Sequence, residues 1–147
     1  MAMRAILCWL LPISLILLGG CNRKSPEQRL RGQVAQMQEA IAERRAGDFM
    51  DAVSEDFTGA QGMDRAALHN LLRAQLLVNS RIGATLGPLE VDMRDDTATV
   101  VFTVMLTGGN QRLLPERMQA YRVTSGWREQ GGQWQVYYAE WKPQLGQ

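Results

Sequence analysis

Few residues of this chain carry types and spacing that could do chemistry. There are 2 cysteines and 1 histidine. A lone histidine excludes a multi-histidine metal site, so no metal is expected. No glycine-rich loop is followed by lysine and serine or threonine, as phosphate binding requires. No Gly-x-Ser-x-Gly elbow offers an activated serine. Asp92, Asp95 and Asp96 could act as a base, but they fall at a strand end and turn, where solvated aspartates are expected. His69 lies about 100° round a helical wheel from Leu68, at the edge of an apolar stripe. It is a weak catalytic candidate that would need a carboxylate within hydrogen-bond reach. No cofactor is implied.

Cys21 is different, because its setting is ordered. Arg4 and the amino terminus give a small positive region, and Ala5 to Leu18 is then almost wholly apolar. That run is shorter than the ~20 residues of a spanning helix and has the size of a signal-peptide core. It ends in Leu18-Gly19-Gly20-Cys21, which resembles the lipobox of a bacterial lipoprotein signal. The resemblance implies cleavage between Gly20 and Cys21 and acylation of the Cys21 sulfur. Residues 1–20 are then a signal, 21–25 a lipidated tether, and 26–147 the domain. It also implies a periplasm-facing envelope protein. Asn22 in place of aspartate leans toward the outer membrane over the inner. From Cys21 to Ser25 the tether reaches about 14 Å at most, so the domain sits near the bilayer.

The chain has 147 residues, 46% of them apolar, enough for one domain. Its 16 basic and 15 acidic side chains give a formal net charge of +1. Without Arg4 the mature side chains balance, so no nucleic-acid partner is expected. Cys8 leaves with the signal and Cys21 carries lipid, so no thiol chemistry or disulfide is expected.

The elements that must position any site read as helices followed by strands. Ser25-Pro26-Glu27-Gln28 is a capping box. Leu30, Val34, Met37 and Ile41 recur at helical spacing and predict a helix from Pro26 to Ala46, ended by Gly47. Asp48 is expected to cap a short second helix carrying Phe49, Ala52 and Val53. Residues 55–58 leave it and 59–62 form a loop. A third helix starts at Asp64, buries Leu68, Leu71, Leu72 and Leu76, and fades near Asn79.

The period then becomes two. Leu89, Val91 and Met93 alternate with polar residues up to a turn at Asp95-Asp96. From Thr97 to Thr107, five apolar residues from Ala98 to Leu106 share one face. Four threonines, Val101 and Met105 share the other. Residues 110–118 are ambiguous, because Pro115 disfavours a central strand. Tyr121, Val123, Ser125 and Trp127 alternate up to the turn at Gln130-Gly131-Gly132, and the last strand runs from Gln133 to Trp141. This is an α+β chain with its helices on one face of a mainly antiparallel sheet.

The order of helix, Ala-Gly-Asp-Phe (46–49), short helix, Ser-Glu-Asp-Phe (54–57), third helix and strands ending in Gly-Trp-Arg-Glu-Gln-Gly-Gly-Gln-Trp-Gln-Val (126–136) resembles the nuclear transport factor 2-like superfamily and its polyketide-cyclase and ketosteroid-isomerase relatives. That resemblance implies a cone, with the sheet wrapped round the helices and a pocket at the open end. Isomerases of this fold use an oxyanion-hole tyrosine on the first helix, and residues 26–46 contain none. Dehydratases among the relatives use a histidine–aspartate pair, which would have to involve His69.

Tyr121, Trp127, Trp134 and Tyr138 are the pocket-lining candidates, although the two tryptophans also suit a packed core. Alternation puts Tyr138 with Trp134, and Tyr137 with Trp141 on the opposite face. Both faces of the last strand then read as apolar, and a homodimer through the outer sheet face is expected to cover one. Three readings of function follow. The first is a non-catalytic domain that binds a small apolar or amphipathic ligand or a partner protein. The second is an enzyme of the isomerase, cyclase or dehydratase kind. The third is a dimeric assembly module with no open pocket.

Overall fold

Ser25 starts the first helix in the computed structural model, which describes residues 23–109 and 117–144. The signal, Cys21 and Asn22, and residues 110–116 with Pro115, lie outside the described residues. Ser25 Oγ accepts from the Gln28 amide at 3.1 Å, and Gln28 Oε1 accepts from the Ser25 amide at 2.9 Å. The expected capping box is therefore formed. It opens α1 (Pro26–Ala42), which buries Leu30, Val34, Met37 and Ala40.

The end of α1 departs from expectation. Gly47 does not terminate it. Arg44 does, with φ at 61°, while the Arg45 amide donates to Ala40 O at 2.8 Å and the Arg44 amide to Ile41 O at 3.1 Å. This is a Schellman cap built on a non-glycine residue. The Arg44 side chain offsets the strain by donating to the carbonyls of Leu76, Asn79 and Ser80 at the end of another helix. Gly47 lies inside α2 (Ala46–Asp51). Asp48, expected as its cap, sits in its first turn and pairs with Arg45 at 3.1 Å, and no side chain caps α2.

Two strands were not expected. β1 (Val53–Gly59) follows α2 directly and takes Val53 out of the helix. β2 (Arg81–Leu86) follows α3 (Arg65–Val78). Asp64 caps α3 as expected, accepting from the Ala67 amide at 2.7 Å. β3 (Glu90–Arg94) turns at Asp95, whose φ is 50°, into β4 (Thr97–Gly109). β5 (Arg117–Gln130) and β6 (Gln133–Pro143) are joined by Gly131-Gly132, with φ of 58° and 79°. Positive φ at both turn residues suits a two-residue hairpin, and glycine supplies it without strain.

The sheet order is β1-β6-β5-β4-β2, with β3 also on β4. Among the described residues only the β1–β6 pair is parallel, so the sheet is mixed and mainly antiparallel. β4 pairs with β3 along its first part and with β2 along its second. Helices followed by this curved sheet make the expected α+β architecture. Leu30, Met50, Val53, Val100 and Trp134 belong to one buried core.

A bulge in β6 changes which residues face inward. Trp127 pairs with Val136, but Gly126 pairs with Tyr138, so Tyr137 is an extra residue. Trp134 and Val136 are buried before it, and Ala139 and Trp141 line the interior after it. Tyr138 therefore does not share the face of Trp134. It is 37% exposed and donates to Glu140 Oε2 at 3.1 Å. A Cβ on Gly126 would come within 2.9 Å of the Tyr137 ring, so glycine lets that ring lie across β5. The apparent second apolar face of β6 is a product of unbroken alternation. After the bulge its outer positions are Tyr138, Glu140 and Lys142.

Candidate functional site

α1 and α3 are both too apolar on one side to face water, yet they do not close on each other. Between them and the sheet lies a cavity of about 450 Å³. Val34, Met37, Gln38 and Ile41 of α1 form one wall, and Leu68, Leu71, Leu72 and Gln75 of α3 another. The sheet contributes Ile82, Ala84 and Leu86 of β2, Phe102, Val104 and Leu106 of β4, and Tyr121, Val123, Ser125 and Trp127 of β5. Phe49 of α2, Val53 and Phe57 of β1, and Val136, Ala139 and Trp141 of β6 complete it. The expected burial of the α3 stripe is corrected here. Only Leu76 is buried, whereas Leu68, Leu71 and Leu72 line a void. Leu71 at 41% exposure and Leu106 at 37%, beside exposed Gln75, mark the mouth.

The polar groups of the lining are few and mostly engaged. Ser125 Oγ donates to Val100 O at 3.1 Å and accepts from Trp127 Nε1 at 2.9 Å. Tyr121 Oη donates to Gln119 Oε1 at 2.7 Å. Gln38 Nε2 donates to Ala84 O at 2.7 Å. Gln75 Oε1 accepts from Asn79 Nδ2 at 3.2 Å. No Asp, Glu, His, Lys, Arg or Cys is among the described lining residues.

The structure divides the sequence candidates. Tyr121 and Trp127 line the cavity. Trp134 does not. It is 2% exposed under the start of α1 and donates its indole N–H to Pro26 O at 3.1 Å. Tyr138 is on the outer face, for the reason given by the bulge. His69 is half-buried on α3 but is not part of the lining. Asp92, Asp95 and Asp96 are exposed, and Asp92 pairs with Arg94 at 3.2 Å. The candidates therefore form no acid–base set round the cavity. Gln38 and Trp141 were missed as lining residues. Gln38 sits one position beyond Met37 on the α1 stripe, and Trp141 follows from alternation only once the bulge is known.

A second polar cluster lies away from the cavity. Arg128 Nη2 bonds both carboxylate oxygens of Asp56, at 2.8 and 3.0 Å, and Ser54 Oγ at 3.2 Å. Its guanidinium carbon lies 5.1 Å from the centre of the Tyr137 ring. The Ser54 hydroxyl, and after it Arg128, hold the Asp56 carboxyl below its ordinary value. This cluster ties β1, β5 and β6 together.

No protein-family model matches the sequence, and no curated protein matches it. Solved structures do match. Bd1075 of Bdellovibrio bacteriovorus is 14% identical with a TM-score of 0.72, covering 82% of this chain, which spans only 41% of that one. A provisionally named scytalone dehydratase of Novosphingobium aromaticivorans is 12% identical with a TM-score of 0.75, covering 81% of this chain and 84% of its own. An NTF2-like protein of unknown function from Pseudomonas putida is 19% identical with a TM-score of 0.66, covering 80% and 85%. At such identities the likeness is one of fold, and the fold of this chain is the NTF2-like cone.

Proposed function

We propose that this chain is a bacterial envelope lipoprotein, anchored by lipid on Cys21, whose cone takes up a small apolar or amphipathic molecule without converting it. The cavity carries the reading. Its volume of about 450 Å³ falls within the ~300–1,000 Å³ of ligand pockets. Its walls supply apolar contact and amide or hydroxyl groups and, among the described residues, no charged side chain that could move a proton.

The lipobox reading adds an orientation. The tether enters at Pro26, against Trp134, whereas the second half of α1 lines the cavity. Seventeen residues of α1 span about 25 Å at 1.5 Å each. The mouth then opens away from the host bilayer, toward the periplasm.

Native mass spectrometry on the unlipidated mature chain (residues 21–147 with Cys21→Ser) exported to the periplasm tests the binding. A species heavier than the chain by a few hundred daltons is expected. A bare dimer that takes up nothing would replace this reading with the assembly module. Phase partition tests the anchor: Cys21→Ser in the full chain should move the protein from detergent to water.

A further inference from the structure

One amide gives the cavity a chemical preference. Gln38 is half-buried on α1, and its Nε2 donates to the Ala84 carbonyl on β2. A carbonyl only accepts, so this bond fixes which end of the amide is nitrogen. The nitrogen is turned to the β2 backbone, where one of its two N–H groups is spent. The oxygen is the end left over, and Oε1 has no partner among the described residues. Tyr121 has given its proton to Gln119, so its oxygen too can only accept. Ser125 is satisfied in both senses. Gln75 has a free N–H group, but it sits at the wet mouth, where water competes for it.

Among the described residues, the lining away from the mouth thus offers two acceptors, Gln38 Oε1 and Tyr121 Oη, against the one remaining N–H of Gln38. A ketone or ether could meet only that remaining N–H and would leave both acceptors without a donor. Among the described residues the lining also holds no cation to pair with a carboxylate or phosphate, and a charge buried without a partner is strongly disfavoured.

We infer that the ligand is a neutral, largely apolar molecule carrying an alcohol or phenol hydroxyl, which donates to Gln38 Oε1. At the ~30 Å³ that one water occupies in the liquid, the cavity accommodates about fifteen non-hydrogen atoms. This inference rests on the binding reading above and assigns its chemical class.

Calorimetric titration of the unlipidated mature chain with 1-naphthol, 1-methylnaphthalene and 1-naphthoate at neutral pH tests it. The three share one ring system and differ in hydroxyl, methyl and carboxylate. One neutral hydrogen bond predicts that 1-naphthol binds about threefold to tenfold tighter than 1-methylnaphthalene, with 1-naphthoate weakest. Gln38→Met keeps the length and removes the amide, its acceptor and its N–H groups together. It should bring 1-naphthol to the level of 1-methylnaphthalene and leave the hydrocarbon unchanged. If Gln38→Met fails to fold, the order of the three probes on the unchanged cavity decides. Equal binding of 1-naphthol and 1-methylnaphthalene overturns the chemical class while the binding reading stands, as does tightest binding of 1-naphthoate or a preference that survives in a folded Gln38→Met. If none of the three binds, the binding reading falls and the class falls with it.

Discussion

The two ends of the cone use the same kinds of residue to opposite effect. At the closed end, Leu30 of α1 meets Val100 and Trp134, each with almost no exposed surface. Its polar edges are tied as well: Trp134 bonds Pro26 O, and Arg29 bonds Glu129 and Gly132 O. At the open end, Met37 and Ile41 of the same helix face leucines of α3 across a void. The difference is not one of hydrophobicity. One large indole, Trp134, fills the closed end, whereas α3 buries only Leu76 and leaves Leu77 83% exposed. An apolar surface becomes a core where a partner fills it and a site where none does.

The largest effects should come from the closed end. Trp134→Ala removes the plug and the Pro26 bond, and should lower unfolding free energy by about 3–5 kcal/mol. Leu72→Ala enlarges a space that is already empty and half open. It should cost about 1 kcal/mol or less, since little packing is lost. Denaturant unfolding of both variants checks the contrast, and equal losses would show that the open end is packed in solution.

A smaller change of opposite sign should follow from filling the site. Ala139 lines the cavity beyond the β6 bulge. Ala139→Phe should raise stability by about 0.5–2 kcal/mol, as cavity-filling changes do, and should abolish uptake of 1-methylnaphthalene. A destabilised variant that still binds would mean that Ala139 faces packed protein.

This contrast explains what could be read in the sequence. α1, α3 and β3 to β6 were legible because each has a period, a cap or a turn with a physical cause, such as the capping box at Ser25 or the glycine pair at 131–132. β1 was hidden because Ser54 and Val53 are both buried and the register against β6 shifts. β2 was hidden because Ile82, Ala84 and Leu86 are a weak alternation interrupted by Gly83. Tyr121 and Trp127 were legible as site residues because β5 alternates from one to the other. Tyr138 was misplaced because nothing in the composition of β6 marks Tyr137 as an extra residue, whereas Trp134, which precedes the bulge, takes the packed-core place its indole also suited. The cavity itself was not legible in α3, since a leucine stripe looks the same whether it meets a core or a void.

The smallest effect sharpens the comparison from outside the cavity. Asp56, Ser54 and Arg128 clasp the outer side of the closed end, where Arg128 follows the buried Trp127. Ser54 and Arg128 lower the Asp56 pKa from its ordinary value of 3.8. The folded state therefore holds this proton less tightly than the unfolded one. The stability that follows is present above the ordinary value and is lost as pH falls through the lowered one. Asp56 is largely exposed, so the effect is small. Melting midpoints of the wild type and Asp56→Asn should differ most at neutral pH and converge as acid protonates Asp56. Affinity for 1-methylnaphthalene should not change in the variant, because none of the three residues lines the cavity. A midpoint difference that persists undiminished into strong acid would assign the clasp to shape rather than charge. A change in affinity would show that the two ends are mechanically coupled, and that closing one helps set the width of the other.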